Sequence, residues 1–153
     1  MPGSMVLEIL HGPRQAAEEL YRRQERLEQI SAACRSITPR YDAQGGGRTG
    51  CADSGDGLAI LADAVSLVRE AEKELALRER EAQDLLDTML RENDQITERD
   101  YQILRLRYIK RMTWPTVQDA LSQLGYPAAA IRSVYSWHRK ALSSARKFEE
   151  GKP

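Results

Sequence analysis

The residues best equipped for chemistry lie near the C-terminal end. On a wheel of about 100° per residue, Arg132, Ser136, Arg139, Lys140, Ser143 and Lys147 gather on one side, and Ile131, Val134, His138, Ala141, Leu142 and Ala145 gather on the other. The first side is basic and rich in hydroxyls and holds no acid. Arginine forks match the acceptor pair on guanine, and Lys, Arg and Ser donate to phosphate oxygens. This pattern predicts a helix that enters the major groove of double-stranded DNA. Arg132, Ser133, Ser136 and Arg139 would face bases, and Lys140, Ser143 and Lys147 would hold phosphates. Lys110, Arg111 and Thr113, upstream, join the phosphate set. His138 falls on the apolar side and is expected to pack rather than read a base. The competing reading is a basic amphipathic helix with a solvated face.

Other chemistries fit poorly. The spacing of Gly45 and Gly50 suits a phosphate-binding loop, but Cys51 and Ala52 stand where Lys and Ser/Thr are needed, and no strand pattern precedes them. Asp53-Ser54-Gly55-Asp56-Gly57 begins like a calcium loop, yet the position of its bidentate acid is Ala64. Cys34 and Cys51 have no His or second Cys at ligand spacing, and His11 is remote from His138. Two cysteines exclude a disulfide framework and a four-Cys zinc site, and suggest a reducing cytoplasm. Cys34 is expected to be a small packed hydrophobe. The acids between 70 and 94 read as a solvated helix face. No metal, cofactor or enzymatic activity is expected.

The composition agrees with a binding protein. The chain has 153 residues, 30% of them charged, with zero net charge and a mean hydropathy of -0.58. That length suits one domain, or a small domain plus an appendage. The zero conceals a split: residues 1–97 hold 12 Lys+Arg and 18 Asp+Glu (net -6), and residues 98–153 hold 11 and 5 (net +6). Such asymmetry points to a nucleic-acid partner for the basic part. The longest apolar stretch, Leu58 to Val68, is broken by Asp63 and too short to span a bilayer. No secretory signal is visible. Met1 to Ser4 resemble a cloning scar before a natural start at Met5.

The elements that must position these residues read as all-α. Residues 14–37 predict a helix with Leu20, Leu27 and Cys34 seven apart, Ala16, Ile30 and Ile37 near the intervening positions of the repeat, Pro13 at its start and Pro39 at its end. Residues 38–57 are glycine-rich and predict a flexible loop. Residues 58–92 predict a long helix with a heptad ladder of Leu61, Val68, Leu75, Ala82 and Met89. Ala64, Ala71 and Leu85 form the companion seam, which Arg78 interrupts. These two helices make a hairpin or an intermolecular coiled coil over residues 5–94, and the alternatives stay open. Three further helices fill 97–148. Thr97 caps the first, which runs to about Arg111. Thr113 caps the second, with Trp114 and Pro115 in its first turn and a stop at Gly125-Tyr126. Pro127 starts the third, which runs to about Lys147.

Leu106-Arg107-Tyr108-Ile109, Thr113-Trp114-Pro115-Thr116-Val117 and the run from Val134 through Trp137-His138-Arg139-Lys140 to Ala141-Leu142 together resemble a known pattern. It is that of small phage and prophage transcription regulators with a helix-turn-helix like sigma factor region 4. The front half is similar to theirs as well: a helix, a Gly/Ser/Asp-rich loop and a long acidic helix. The resemblance implies a sequence-specific, DNA-binding transcription regulator acting with host RNA polymerase in the bacterial cytoplasm. Gln118 departs from the small residue usual there, and the stretch from Gly125 to Val134 is longer than the family's. The alternative function is a phage DNA-packaging recognition subunit, like the small terminase subunits. It would share the helix-turn-helix and a homo-oligomerising helical segment. A third reading is an interaction module whose basic face takes an acidic protein.

Overall fold

The computed structural model describes residues 4–44, 55–92 and 96–151, with the backbone alone over 35–44 and 55–56. All regular structure among the described residues is helical. The helices are α1 (Met5–Gln44), α2 (Gly55–Glu92), α3 (Glu98–Leu104), α4 (Trp114–Gln123) and α5 (Ile131–Glu150); α3 runs directly into a π-helical turn, Arg105–Ile109. No helix among the described residues is long and apolar enough to cross a membrane.

The chain divides into two compact units. One comprises Met1–Gln15 with Ala76–Pro153, and the other Ala16–Leu75. The second unit holds α1 from Ala16 onward and α2 up to Leu75. There Ala64, Val68 and Ala71 are buried, while Leu20, Leu27, Ile30, Leu61 and Leu75 are half-buried. Arg23 bridges the two helices, donating to the Leu67 carbonyl at 2.9 Å and lying 3.8 Å from Glu70. Cys34 is half-buried and disulfide-bonded. That corrects the expectation of a packed thiol and removes the basis for inferring a reducing compartment. Its site on α1 is only partly covered, so no closed apolar pocket holds it. Cys51, the other cysteine, lies outside the described residues, as do the glycines of 45–54 and Asp53 and Ser54.

The first unit contains the main core. Val6 and Leu10 of α1 cluster with Ala82, Leu86 and Met89 of α2, Ile96, Leu104, Ile109, and Ala141 and Ala145 of α5. Three expectations about α1 and α2 are corrected. Helix α1 begins at Met5, so Pro13 is a buried interior residue rather than a start. Val6 and Leu10 of the preceding turns are packed in the core, and the helix continues through Pro13. Gly12 beside it lets the Arg78 side chain approach; a Cβ there would sit 3.2 Å from Arg78 Cδ. The same helix runs past Pro39 to Gln44, although Pro39 has no backbone N–H to donate. The seam of α2 also shifts. Leu86, rather than Leu85, is fully buried beyond Arg78. A straight helix drifts by roughly 20° per heptad against a strict seven-residue repeat, which carries the core face to the next position.

Ser4, set aside in the sequence reading, takes part in the first turn of α1. Its hydroxyl donates to Glu149 of α5, whose carboxylate also accepts from the backbone N–H of Met5 at 2.8 Å and of Val6 at 3.3 Å. The Glu149 carboxyl is held below its ordinary range by these bonds, the Ser4 one first. An acid at a helix N-terminus satisfies donors that have no partner within the helix.

Candidate nucleic-acid interface

The segment from α3 to α5 places the predicted site. Thr97 caps α3 as expected: its side chain accepts from Asp100 N at 3.1 Å, and Asp100 returns the bond to Thr97 N. Helix α3 is tied to α2 through Tyr101, which donates to Asp87 at 2.8 Å and accepts from Gln83 at 2.7 Å. The following turn widens, and Lys110 N donates to Arg105 O, five residues back. Arg111 then adopts φ 56, and Met112 N closes on Leu106 O at 3.1 Å. This is a left-handed termination of the kind glycine usually makes, here held by an arginine.

Helix α4 begins at Trp114 with Pro115 in its first turn and ends where Gly125 takes φ 94. Val117 and Leu121 of α4, Val134 of α5, and Ile103 and Leu106 form a second core. Helix α5 begins at Ile131, which corrects the expected start at Pro127. The intervening residues are held away from helical geometry. Gln118 Nε2 donates to the Ala128 carbonyl at 3.0 Å, and Ala130 is extended at φ -143, ψ 152. Gln118 thus ties α4 to the stretch that precedes α5.

The wheel drawn for α5 corresponds to its burial. Val134, Ala141 and Ala145 are buried, and Ile131, His138 and Leu142 are half-buried. Arg132, Arg139, Lys140, Ser143 and Lys147 are exposed, and Ser133 and Ser136 are half-buried. Upstream, Lys110, Arg111 and Thr113 are exposed at the junction before α4. Thr113 shares a 2.9 Å hydrogen bond with Thr116, and Arg111 lies 3.6 Å from Glu79. The structure therefore gathers the ten predicted residues into two patches, one along α5 and one at the junction.

Aromatic rings connect the two. The Arg107 guanidinium lies 4.5 Å above the Trp114 ring and donates to Met112 O at 2.8 Å. Trp114 meets Tyr135 edge-on at 5.3 Å and His138 at 4.7 Å. His138 Nε2 shares a 2.9 Å hydrogen bond with the Tyr108 hydroxyl. Burial, then the nearby Arg107 charge, lowers the His138 pKa to about 4, so the ring is neutral at pH 7. Burial also raises the Tyr108 pKa. His138 is thereby a packed, neutral residue, as its place on the wheel suggests.

Two residues of the exposed arc were missed in the sequence reading. Tyr135 and Arg146 are both exposed and fall between Ile131 and Arg139 on the same wheel. The wheel alone could have found them. Among the described residues no group of three His, Cys, Asp or Glu could hold a metal ion. Comparison with protein-family models, with curated proteins and with solved structures returned no match.

Proposed function

We propose that the protein is a sequence-specific DNA-binding regulator in which α4, the turn after it and α5 form a helix-turn-helix, with α5 in the major groove. The observation that carries this reading is the exposed arc of α5. Five cations (Arg132, Arg139, Lys140, Arg146, Lys147) and Ser143 stand there, and the acids of that helix, Glu149 and Glu150, are confined to its last turn. Helix α5 is held by a core on its opposite face, so the arc is presented on a rigid support. Rigid presentation matters because a bidentate arginine contact discriminates bases only when its geometry is fixed. Arg132 and Arg139 are assigned to bases, with Ser136 and Ser133 at the edge of the same surface. Lys140, Ser143 and Lys147 are assigned to phosphates. The junction residues Lys110, Arg111 and Thr113 are placed on the backbone flanking the groove. The narrower reading, a phage-type regulator working with RNA polymerase as sigma region 4 does, rests on the resemblance alone.

Selection of bound DNA from a random library tests the proposal. A recovered consensus a few base pairs long supports it. Recovery of unrelated sequences, with binding that only falls with salt, contradicts it and leaves a backbone-binding helix.

A further inference from the structure

Beside α5, Arg14 of α1 and Arg107, Tyr108, Arg111 and Thr113 line a cavity of about 180 Å³. Each of these side chains carries a hydrogen-bond donor, and three are guanidinium groups. Glu79 lies 3.6 Å from Arg111. The volume lies below the roughly 300–1,000 Å³ of sites for drug-sized ligands, so the cleft suits a small anionic group. Its one aromatic ring is already engaged. Tyr108 meets His11 edge-on at 5.3 Å and lies tilted against His138 at 5.7 Å, which leaves a base little to stack on.

Two of the three cations are held in place before any ligand arrives. Arg107 is fixed by the Met112 carbonyl and by the Trp114 face. Arg111 donates to the Ile109 carbonyl at 3.2 Å, and its backbone takes the left-handed conformation that side chains other than glycine rarely adopt. Trp114 connects the cleft to the α5 arc through Tyr135.

We infer that this cleft is a phosphate subsite filled by a backbone phosphate of the bound duplex, with Arg14 and Arg107 adding contacts beyond those of α5. The inference rests on the DNA-binding reading above and extends it to helix α1. Guanidinium forks match phosphate oxygens bidentately, which a lone lysine cannot do.

The test uses the full chain and two variants, Arg14→Gln and Arg111→Gly. Arg111→Gly removes a cation while relieving the left-handed backbone, so lost binding with an unchanged or raised melting temperature cannot be ascribed to misfolding. Titration with inorganic phosphate, followed by NMR, is expected to shift the amides of 107–113 in the parent protein and severalfold less in either variant. In DNA titrations across salt, each variant should lose about one unit of the log–log slope, with the selected consensus unchanged. If both variants keep the parent slope while Lys147→Ala lowers it, the DNA reading stands and the subsite is refuted. If phosphate shifts the cleft but neither slope changes, a free anion is the occupant and the backbone assignment is overturned. If the parent binds no DNA at all, the function itself fails and the duplex phosphate fails with it.

Discussion

Leu121 and Leu124 lie three residues apart in and after α4, and truncating each to alanine should have very different effects. Leu121 is 0% exposed and packs among Val117, Val134, Ile103 and Leu106; Leu124 is 48% exposed at the helix end. Leu→Ala removes the equivalent of about three methylene groups, roughly 2.4 kcal/mol at 0.8 kcal/mol each. At Leu121 a residual cavity adds to this, because the five-residue core has helices on several sides and cannot fully collapse. The expected loss is about 3–4 kcal/mol, within the roughly 2–5 kcal/mol range of buried leucines. At Leu124 half the side chain already meets solvent and no cavity forms, so the loss should stay under about 1 kcal/mol. For a chain of this size 1 kcal/mol corresponds to about 2–4 °C in Tm, so Leu121→Ala should lower Tm by about 6–16 °C and Leu124→Ala by less than about 4 °C. Urea titrations followed by circular dichroism provide the free energies and thermal melts the shifts. Equal losses for the two variants would refute the placement of the turn after α4, and with it the orientation of α5.

Three further outcomes are expected. Gln118→Ala should cost about 1 kcal/mol, the net worth of its hydrogen bond to the Ala128 carbonyl, and should weaken DNA binding more than Ser122→Ala, which truncates an exposed neighbour; equal effects would show that the turn does not depend on Gln118. Glu149→Gln should destabilise the protein at neutral pH. The folded pKa of Glu149 is depressed, so its contribution is present above the unfolded pKa and lost as pH falls through the folded value; urea midpoints of parent and variant should converge in acid. His138 is neutral in the fold with a pKa of about 4 against 6.5 unfolded. The unfolded chain therefore takes the proton first, and stability should fall as pH drops from about 6.5 toward 4; His138→Phe should flatten that part of the urea-midpoint profile, and an unchanged profile would place the proton elsewhere.

Much of the α3–α5 segment was legible because its signals are local. Thr97 with Asp100, Trp114-Pro115 after Thr113, and Gly125 each act within a turn of their own position, and the apolar period of α5 is short and clean. The missed features depend on residues distant in sequence. The start of α1 is secured by Val6 and Leu10 in a core shared with α2 and α5, and by Glu149, 145 residues from Ser4. Read locally, Gly12-Pro13 looks like a boundary. The seam shift to Leu86 arises from accumulated helical drift, which a heptad template suppresses. The widened turn at Arg105–Ile109 was invisible because one extra residue in a helical turn changes few apolar positions. That turn and the left-handed Arg111 bring Arg107, Tyr108 and Arg111 to one cleft with Arg14, a juxtaposition that no spacing in the sequence announces.

The central claim is that arginines of α5 read sequence while lysines of the same helix hold the backbone. Titrations of Arg132→Ala, Arg139→Ala and Lys147→Ala on a selected site and on random DNA, across several salt concentrations, test it most directly. The two arginine variants should lose about 1–3 kcal/mol on the selected site and relax its consensus, while random binding changes little. Lys147→Ala should weaken both DNAs alike and reduce the salt slope by about one. If the arginine variants instead lose selected and random binding equally, as Lys147→Ala does, α5 holds the backbone without reading sequence and the claim is wrong.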